Sequence, residues 1–150
     1  MTKVEFNWKY PRKLEPVFDY QGRYIILEGG RFSGKSHFLA RKFLEDRLYQ
    51  DRDLLCVREY QRNLEQSNYK LLKNIIHQYQ LPFKIMSDRI KSEITRSEII
   101  FEGMNNITQD NIKSYEGFHD AWIEEGQNFS ISSFELLDPT IRQADSKIYI

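Results

Sequence analysis

Residues 29–36 are the part of the sequence whose types and spacing point most directly to chemistry. They read Gly-Gly-Arg-Phe-Ser-Gly-Lys-Ser and match the pattern G-x-x-x-x-G-K-[ST] at every fixed position. Glycines let the backbone of such a loop turn its N–H groups inward, where they bind phosphate oxygens. Lys35 is placed to reach the β- and γ-phosphates of a nucleoside triphosphate, and the Ser36 hydroxyl to coordinate Mg²⁺. We therefore predict a nucleotide site formed by Gly29, Gly30, Arg31, Phe32, Ser33, Gly34, Lys35 and Ser36.

The residues on either side of this loop fit a phosphate-binding context. Residues 24–28 form a short apolar run that is typical of a buried parallel strand. After the loop, apolar residues recur at helical spacing to about Tyr49, namely Phe38, Leu39, Phe43, Leu44 and Leu48. Strand, loop and helix thus follow one another in the order that the motif requires, and a helix N-terminus attracts anions. The alternative is a glycine turn that holds no nucleotide.

A second feature is the pair of carboxylates Glu124 and Glu125, which follows the apolar residues Trp122 and Ile123. Ligands of open α/β sheets bind at the carboxyl ends of strands, so this pair is placed to meet the phosphates. Glu124 would hold the Mg²⁺ shell, and Glu125 would act as general base on the attacking water. The first acid of such a pair is often Asp, and here it is Glu. Taken alone, the pair is better explained by two solvated loop carboxylates, and the upstream loop reverses this in favour of the functional interpretation.

Composition limits the class of protein. The chain has 150 residues, 40% of them hydrophobic, which is enough for one domain with a core. Lys plus Arg and Asp plus Glu number 22 each, so a protein that grips DNA alone is disfavoured, although a ring with few contacts per subunit is not. The single cysteine, Cys56, allows no intrachain disulfide, and no run approaches the length of a membrane span. We expect an intracellular, single-domain protein with no membrane association.

The order of elements predicts an α/β fold with a mostly parallel sheet and helices on both faces. Residues 1–23 are aromatic and interrupted by prolines, and we interpret them as an irregular lead-in to a domain at 24–150. A second helical stripe runs from Leu64 to Tyr79 and ends before Pro82, and short helical turns surround Pro139. The predicted strands are 24–28, 53–57, 83–86, a hairpin of 93–95 with 97–101, Trp122 with Ile123, and 147–150.

The combined motifs resemble the large terminase subunits of tailed bacteriophages. The similar segments are, in chain order, 29–36, 56–58 with Ser67, 99–104, 112–114, 122–127 and 134–142. The loop has the terminase form, including Arg31, and Trp-Ile-Glu-Glu-Gly is similar to the family's W-I-E-E-A sequence, with Gly126 where alanine is usual. The resemblance covers about residues 24–150, and its motifs together are more specific than any one of them.

This resemblance implies a P-loop NTPase of the RecA-like, additional-strand catalytic-glutamate (ASCE) type that hydrolyses ATP with Mg²⁺. Family members work as a homo-oligomeric ring on double-stranded DNA, with a portal protein and a small terminase subunit as partners. That implies the cytoplasm of an infected bacterial host, transiently at the procapsid portal. Complete large terminases also carry a nuclease domain, which we do not expect in this chain, so we interpret 24–150 as a truncated ATPase domain.

The resemblance also suggests roles for four further residues. Arg31 would contact the γ-phosphate as charge develops there, the alternative being a solvent-facing loop charge. Lys113 and Arg142 are candidates for a basic residue that completes the site of a neighbouring subunit, although Arg142 could equally pair with Asp138 or Asp145. Gln21, in the lead-in, would contact adenine. We place Arg31 and Lys35 beside Glu125 as candidate catalytic residues.

Two other functions remain open from the sequence. The first is a P-loop kinase for a nucleotide or small molecule, in which a glutamate aimed at water would be counterproductive. The second is an assembly module that binds nucleotide without turnover. Phosphate released to water, phosphate transferred to an acceptor, and binding without turnover are the observations that separate these functions.

Overall fold

A computed structural model describes residues 6, 8–30, 33–60 and 68–150. Within these residues, seven strands form one sheet in the order β1-β7-β6-β2-β5-β4-β3. The strands are β1 (Tyr24–Ile25), β2 (Leu54–Arg58), β3 (Phe83–Ile85), β4 (Arg89–Ser92), β5 (Glu98–Gly103), β6 (Asp120–Ile123) and β7 (Lys147–Tyr149). The helices are α1 (Pro16–Asp19), α2 (Lys35–Tyr49), α3 (Asn68–Tyr79) and α4 (Ile131–Leu137). Short 3-10 turns occupy Arg12–Leu14, Met104–Asn106, Ile112–Tyr115 and Gly126–Asn128.

Five neighbouring strands of the sheet are parallel to one another, namely β1, β7, β6, β2 and β5. Strand β7 pairs with both β1 and β6. One additional strand therefore separates β1, which precedes residues 29–36 (the glycine loop), from β6, which precedes Glu124 and Glu125. Strands β2 and β6 pair directly, with Val57 opposite Ile123. Strands β3 and β4 extend the other side of the sheet as an antiparallel addition. The carboxyl ends of the parallel strands therefore lie along one edge, where the candidate site residues follow them.

The central strands are buried on both faces, as their sequences predicted. All four residues of β6 and the first four of β2 are buried, which fits a parallel strand covered by elements on either side. One face packs on α2 and α3 through a cluster that includes Phe43, Leu44, Leu72, Ile76 and Trp122. The other face packs on α4 and the 3-10 turns through a cluster that includes Leu55, Ile107, Ile112, Leu137 and Ile148. The predicted mostly parallel sheet with helices on both faces is confirmed.

Two strand predictions need correction. The first strand of the hairpin is β4 at 89–92, and residues 93–95, which we expected to form it, lie in the connection to β5. The Ser92 hydroxyl accepts hydrogen bonds from the N–H groups of Ile94 and Thr95, which turns the chain there. Strand β1 is shorter than the predicted 24–28, and Ile26 is exposed, since β1 pairs with β7 alone among the described strands.

The lead-in packs on the same core as the rest of the chain. Leu14 is buried, Trp8 and Tyr10 are partly buried against the cluster under α2, and the Tyr10 hydroxyl donates to Glu45 Oε2 at 2.7 Å. Burial and the Glu45 carboxylate raise the pKa of Tyr10. The division into lead-in and domain stays a prediction. Leu64, which we expected in the second helix, lies outside the described residues, and α3 begins at Asn68.

A buried ion-pair network lies at the amino-terminal end of β6. Asp120 begins β6, and Arg47, near the end of α2, donates through Nη2 to Asp120 Oδ2 at 2.5 Å. Arg52 binds both oxygens of the same carboxylate, at 2.7 Å and 3.1 Å. These two guanidinium groups keep the pKa of Asp120 below its ordinary value, although burial acts in the opposite direction. The network joins α2 and β6 at the ends opposite to the glycine loop and the carboxylates.

Candidate active site

The glycine loop ends in a backbone conformation that leads directly into helix α2. Gly34 precedes α2 with φ 82° and ψ 4°, a left-handed conformation that favours glycine. Its carbonyl accepts the N–H of Phe38 at 2.9 Å, the first hydrogen bond of the helix. The other N–H groups of the first turn face the loop, and this end of a helix attracts anions. Arg31 and Phe32 lie outside the described residues, so their predicted contacts stay predictions.

Lys35 and Ser36 stand in the first turn of α2. The Lys35 ammonium donates to the carbonyl oxygen of Gly29, so its side chain crosses the mouth of the loop. Ser36 is exposed beside it. The Ser33 N–H bonds the Gly30 carbonyl at 3.3 Å and closes the turn. The loop thus presents one ammonium and one hydroxyl group to the same space.

The two carboxylates leave the end of β6 in different directions. The backbone N–H of Glu124 bonds the carbonyl of Val57 at 2.7 Å, which holds this residue in register with β2. Its side chain is partly buried, and Oε2 accepts the N–H of Asn68 at 3.3 Å. Glu125 has φ 55° and ψ 55°, and its side chain is 52% exposed. A left-handed residue other than glycine costs about 1–3 kcal/mol and persists only where its surroundings hold it.

Arg58, the last residue of β2, contacts both carboxylates. Its Nη2 lies 3.1 Å from Glu125 Oε1, and its Nε lies 4.0 Å from Glu124 Oε2. Burial raises the pKa of Glu124, and the charge of Glu125 adds to this effect. The charge of Arg58 and the Asn68 N–H act against it.

The loop and the carboxylates face one cavity of about 460 Å³. Gly29, Lys35 and Ser36 line it from the loop, and Glu124 and Glu125 line it from the strand end. Apolar residues, Leu39 and Trp122 among them, also line it. The described residues contain no cluster of three metal-binding side chains. A single carboxylate with a serine hydroxyl nevertheless fits Mg²⁺, which usually takes one or two carboxylates and completes its shell with phosphate oxygens and waters.

Three predicted site residues lie apart from this cavity. Gln21 is exposed and donates to the Asp19 carbonyl at 3.2 Å. Lys113 is exposed on the 3-10 turn at Ile112–Tyr115. Arg142 is exposed and pairs with Glu116 at 2.8 Å, and neither of the partners expected from the sequence binds it in the structure. Their roles toward adenine and toward a neighbouring subunit stay predictions, and the lining of the cavity does not include them.

Sequence comparison places the chain in a family. Residues 21–150 match the family model described as phage terminase large subunit. The chain belongs to this family. The PBSX phage terminase large subunit of Bacillus subtilis (strain 168) is 27% identical over 137 residues, which are 89% of this chain and 31% of that protein. The chain therefore spans under a third of the length of this curated relative.

Two solved structures of large terminases have a similar fold. The large terminase of a thermophilic bacteriophage, in complex with ADP, matches with a TM-score of 0.69 and 14% identity, covering 93% of this chain and 35% of that one. The large terminase ATPase domain of Thermus phage P74-26 matches with a TM-score of 0.61 and 13% identity, covering 85% and 58%. The predicted RecA-like P-loop fold is confirmed by this likeness.

The structure gives a reason for one departure of this chain from the W-I-E-E-A sequence of the family. Gly126 stands where alanine is common, and it follows the left-handed Glu125 at the start of a 3-10 turn. A Cβ added at Gly126 would clash with Cγ2 of Ile150, just after β7. The close approach of these two segments therefore favours glycine at this position.

Asn68 is a lining residue that sequence reasoning missed. It contacts Glu124 through its backbone N–H and lines the cavity from the start of α3. Its place follows from the pairing of β2 with β6, because α3 is the helix that follows β2, and that pairing is not visible in the sequence. In the described part of the chain, no helix is long and apolar enough to cross a membrane.

Proposed function

We propose that this terminase-family chain binds ATP with Mg²⁺ and hydrolyses it to drive the packaging of viral DNA. The observation that carries the proposal is the shared cavity, in which Lys35 and Ser36 of the loop face Glu124 and Glu125 of the strand end. A phosphate chain bound to the loop would have its terminal group on the side of the carboxylates. The two parts of the site come from distant sequence segments, and both are needed for hydrolysis.

In this proposal each side chain has one task. Lys35 exchanges its carbonyl acceptor on Gly29 for phosphate oxygens. Ser36 and Glu124 would hold Mg²⁺, which neutralises charge on the phosphate oxygens when it is bound. Glu125 accepts a proton from the attacking water as general base. The ion pair with Arg58 holds the Glu125 carboxylate at the entrance until nucleotide is bound.

The family supports the biological setting that we propose. The chain matches a phage terminase large subunit over 89% of its own length, so DNA packaging is the process in which its ATP turnover would be used. We infer double-stranded DNA, a portal protein and a small terminase subunit as partners, and a homo-oligomeric ring as the working form. The host cytoplasm is the compartment that follows. Net charge is formally zero, which agrees with few DNA contacts from each subunit of a ring.

The test is the release of inorganic phosphate from Mg²⁺-ATP, with and without double-stranded DNA. Replacing Glu125 with glutamine keeps the size and removes the base, so Glu125→Gln should retain ATP binding while turnover falls by about 10²-fold or more. Glu135→Gln, at an exposed position on α4, is the matched control and should leave turnover unchanged.

Two outcomes would replace this proposal with another function. Transfer of the phosphate to an added acceptor, with little free phosphate, would favour a kinase. Binding of ATP without turnover, even in the presence of DNA and procapsids, would favour an assembly module. Unaltered hydrolysis in Glu125→Gln would remove Glu125 from the mechanism.

A further inference from the structure

Asn68 carries a polar group that the fold itself leaves unpaired. The residue begins α3, is 7% exposed, and lines the cavity between the loop and the carboxylates. Its backbone N–H donates to Glu124 Oε2, and its side-chain nitrogen Nδ2 is buried with no hydrogen-bond partner among the described residues. Buried polar groups are nearly always paired, because a lost hydrogen bond with water has to be replaced. Because Asn68 lines the cavity, the unpaired amide points to a ligand that it meets when its side chain turns toward the cavity.

The surroundings of Asn68 specify an acceptor with negative charge. Helix α3 has 12 residues, and its amino-terminal end, where Asn68 stands, carries the positive end of the helix dipole. The same cavity is lined by Lys35 and by the Ser36 hydroxyl, so the donors around it come from two helix starts and one ammonium group. A carboxamide N–H among such donors is suited to a phosphate oxygen.

The position beside the carboxylates identifies which phosphate this is. Asn68 contacts Glu124, and Glu125 is the next residue along the chain. The general base of hydrolysis acts on a water next to the terminal phosphate, so groups at this end of the cavity meet that phosphate first.

We propose that the Asn68 carboxamide donates a hydrogen bond to an oxygen of the terminal phosphate and thereby distinguishes ATP from ADP. The inference rests on the function proposed above and adds a substrate-contacting residue that lies outside both sequence motifs. Because its backbone N–H also binds Glu124, Asn68 would link the terminal phosphate to the carboxylate proposed to hold Mg²⁺.

The experiment measures equilibrium binding of ATPγS and of ADP, both with Mg²⁺, to the wild-type chain and to Asn68→Leu. Leucine is close in size and has no donor, so affinity for ATPγS should fall about tenfold while affinity for ADP changes less than about twofold. The melting temperature of the nucleotide-free variant should hold or rise, because an unpaired buried polar group is removed. An Asn68 with only a structural role would instead show a lower melting temperature and an unchanged ratio of the two affinities.

A second variant and one control complete the design. Asn68→Asp keeps the shape and suits a helix start, and its carboxylate should repel the terminal phosphate, so it should lose more ATPγS affinity than Asn68→Leu. Lys35→Ala should lose affinity for both nucleotides. An unchanged ratio of ATPγS to ADP affinity in both Asn68 variants overturns the inference. A wild-type chain that binds neither nucleotide contradicts the proposed function itself, and this inference with it.

Discussion

Arg58 Nη2 lies 3.1 Å from Oε1 of Glu125, and the two residues come from the ends of neighbouring parallel strands. The same guanidinium group is 4.0 Å from Glu124, so one cation serves the carboxylate proposed to bind metal and the one proposed to act as base. Its charge also lowers the pKa of Glu124 against the effect of burial. The ionisation of Glu124 and the place of Glu125 therefore depend on one residue outside both motifs.

Removing the charge of Arg58 should change how ATP turnover depends on pH. In Arg58→Met the pKa of Glu124 should rise, because burial and Glu125 then act without an opposing cation. Since Glu124 would bind Mg²⁺ as a carboxylate, the acidic limb of the kcat/KM profile should move to higher pH. Arg58→Lys keeps the charge and should show a smaller displacement. Superimposable profiles for wild type and Arg58→Met would contradict this role.

Among substitutions that remove one charge, those in the network around Asp120 should lower the unfolding free energy most. Asp120→Asn leaves Arg47 buried without its anion, and breaking a buried pair in this way typically costs about 3–5 kcal/mol of unfolding free energy. The double variant Arg47→Met with Asp120→Asn should recover part of that loss, because the fully buried guanidinium group is then removed with its partner and only the partly exposed Arg52 loses its anion. Urea unfolding of the three proteins measures both effects. Equal stability of wild type and Asp120→Asn would show that the network contributes little.

The lowered pKa of Asp120 predicts how the stability of the folded chain changes in acid. The pKa of Asp120 is lower in the folded chain than its ordinary value, so its contribution is fully present above the ordinary value of an aspartate. That contribution is lost as pH falls through the depressed folded value. Wild type should therefore lose stability over this acidic range more steeply than Asp120→Asn, as followed by thermal melts at stepwise lower pH. Parallel pH profiles for the two proteins would argue against this assignment.

Gly34 provides a test of the loop backbone. A residue with a side chain is strained at φ 82°, so Gly34→Ala should lower the unfolding free energy by about 1–2 kcal/mol. Gly30→Ala is the matched control, since a Cβ there meets no atom within 4 Å and its φ lies outside the left-handed range. Thermal melts without nucleotide separate the two. A loss of the same size in both variants would mean that φ at Gly34 is not the cause.

Local patterns in the sequence predicted much of the fold and both segments that line the cavity. The loop, α2, β2 and β6 follow from short-range rules of apolar spacing, and the glycine pattern predicts a phosphate site there. The hairpin was displaced, because the strand at 89–92 has a single apolar residue, Ile90, and its turn depends on the Ser92 hydroxyl. Register of this kind is decided by contacts between strands, which are invisible in a single sequence.

Longer-range pairings explain what else was missed. Asn68 reaches Glu124 across 56 positions of sequence, and Arg47 reaches Asp120 across 73. Neither asparagine nor arginine is unusual in a helix, so nothing local marked these residues. Arg142 was placed near the wrong partners for a similar reason, since Glu116 is brought to it only by the folded chain.

The most direct test of the central claim, that loop and carboxylates form one Mg²⁺-ATP site, is thermal unfolding with and without Mg²⁺-ATP. A ligand at about 100 times its Kd that binds only the folded state adds about 2.7 kcal/mol. The account predicts a rise in the melting temperature of wild type that shrinks when Mg²⁺ is chelated and is abolished in Lys35→Ala. A cooperative wild-type transition that Mg²⁺-ATP does not move, or an equal shift in Lys35→Ala, would contradict it.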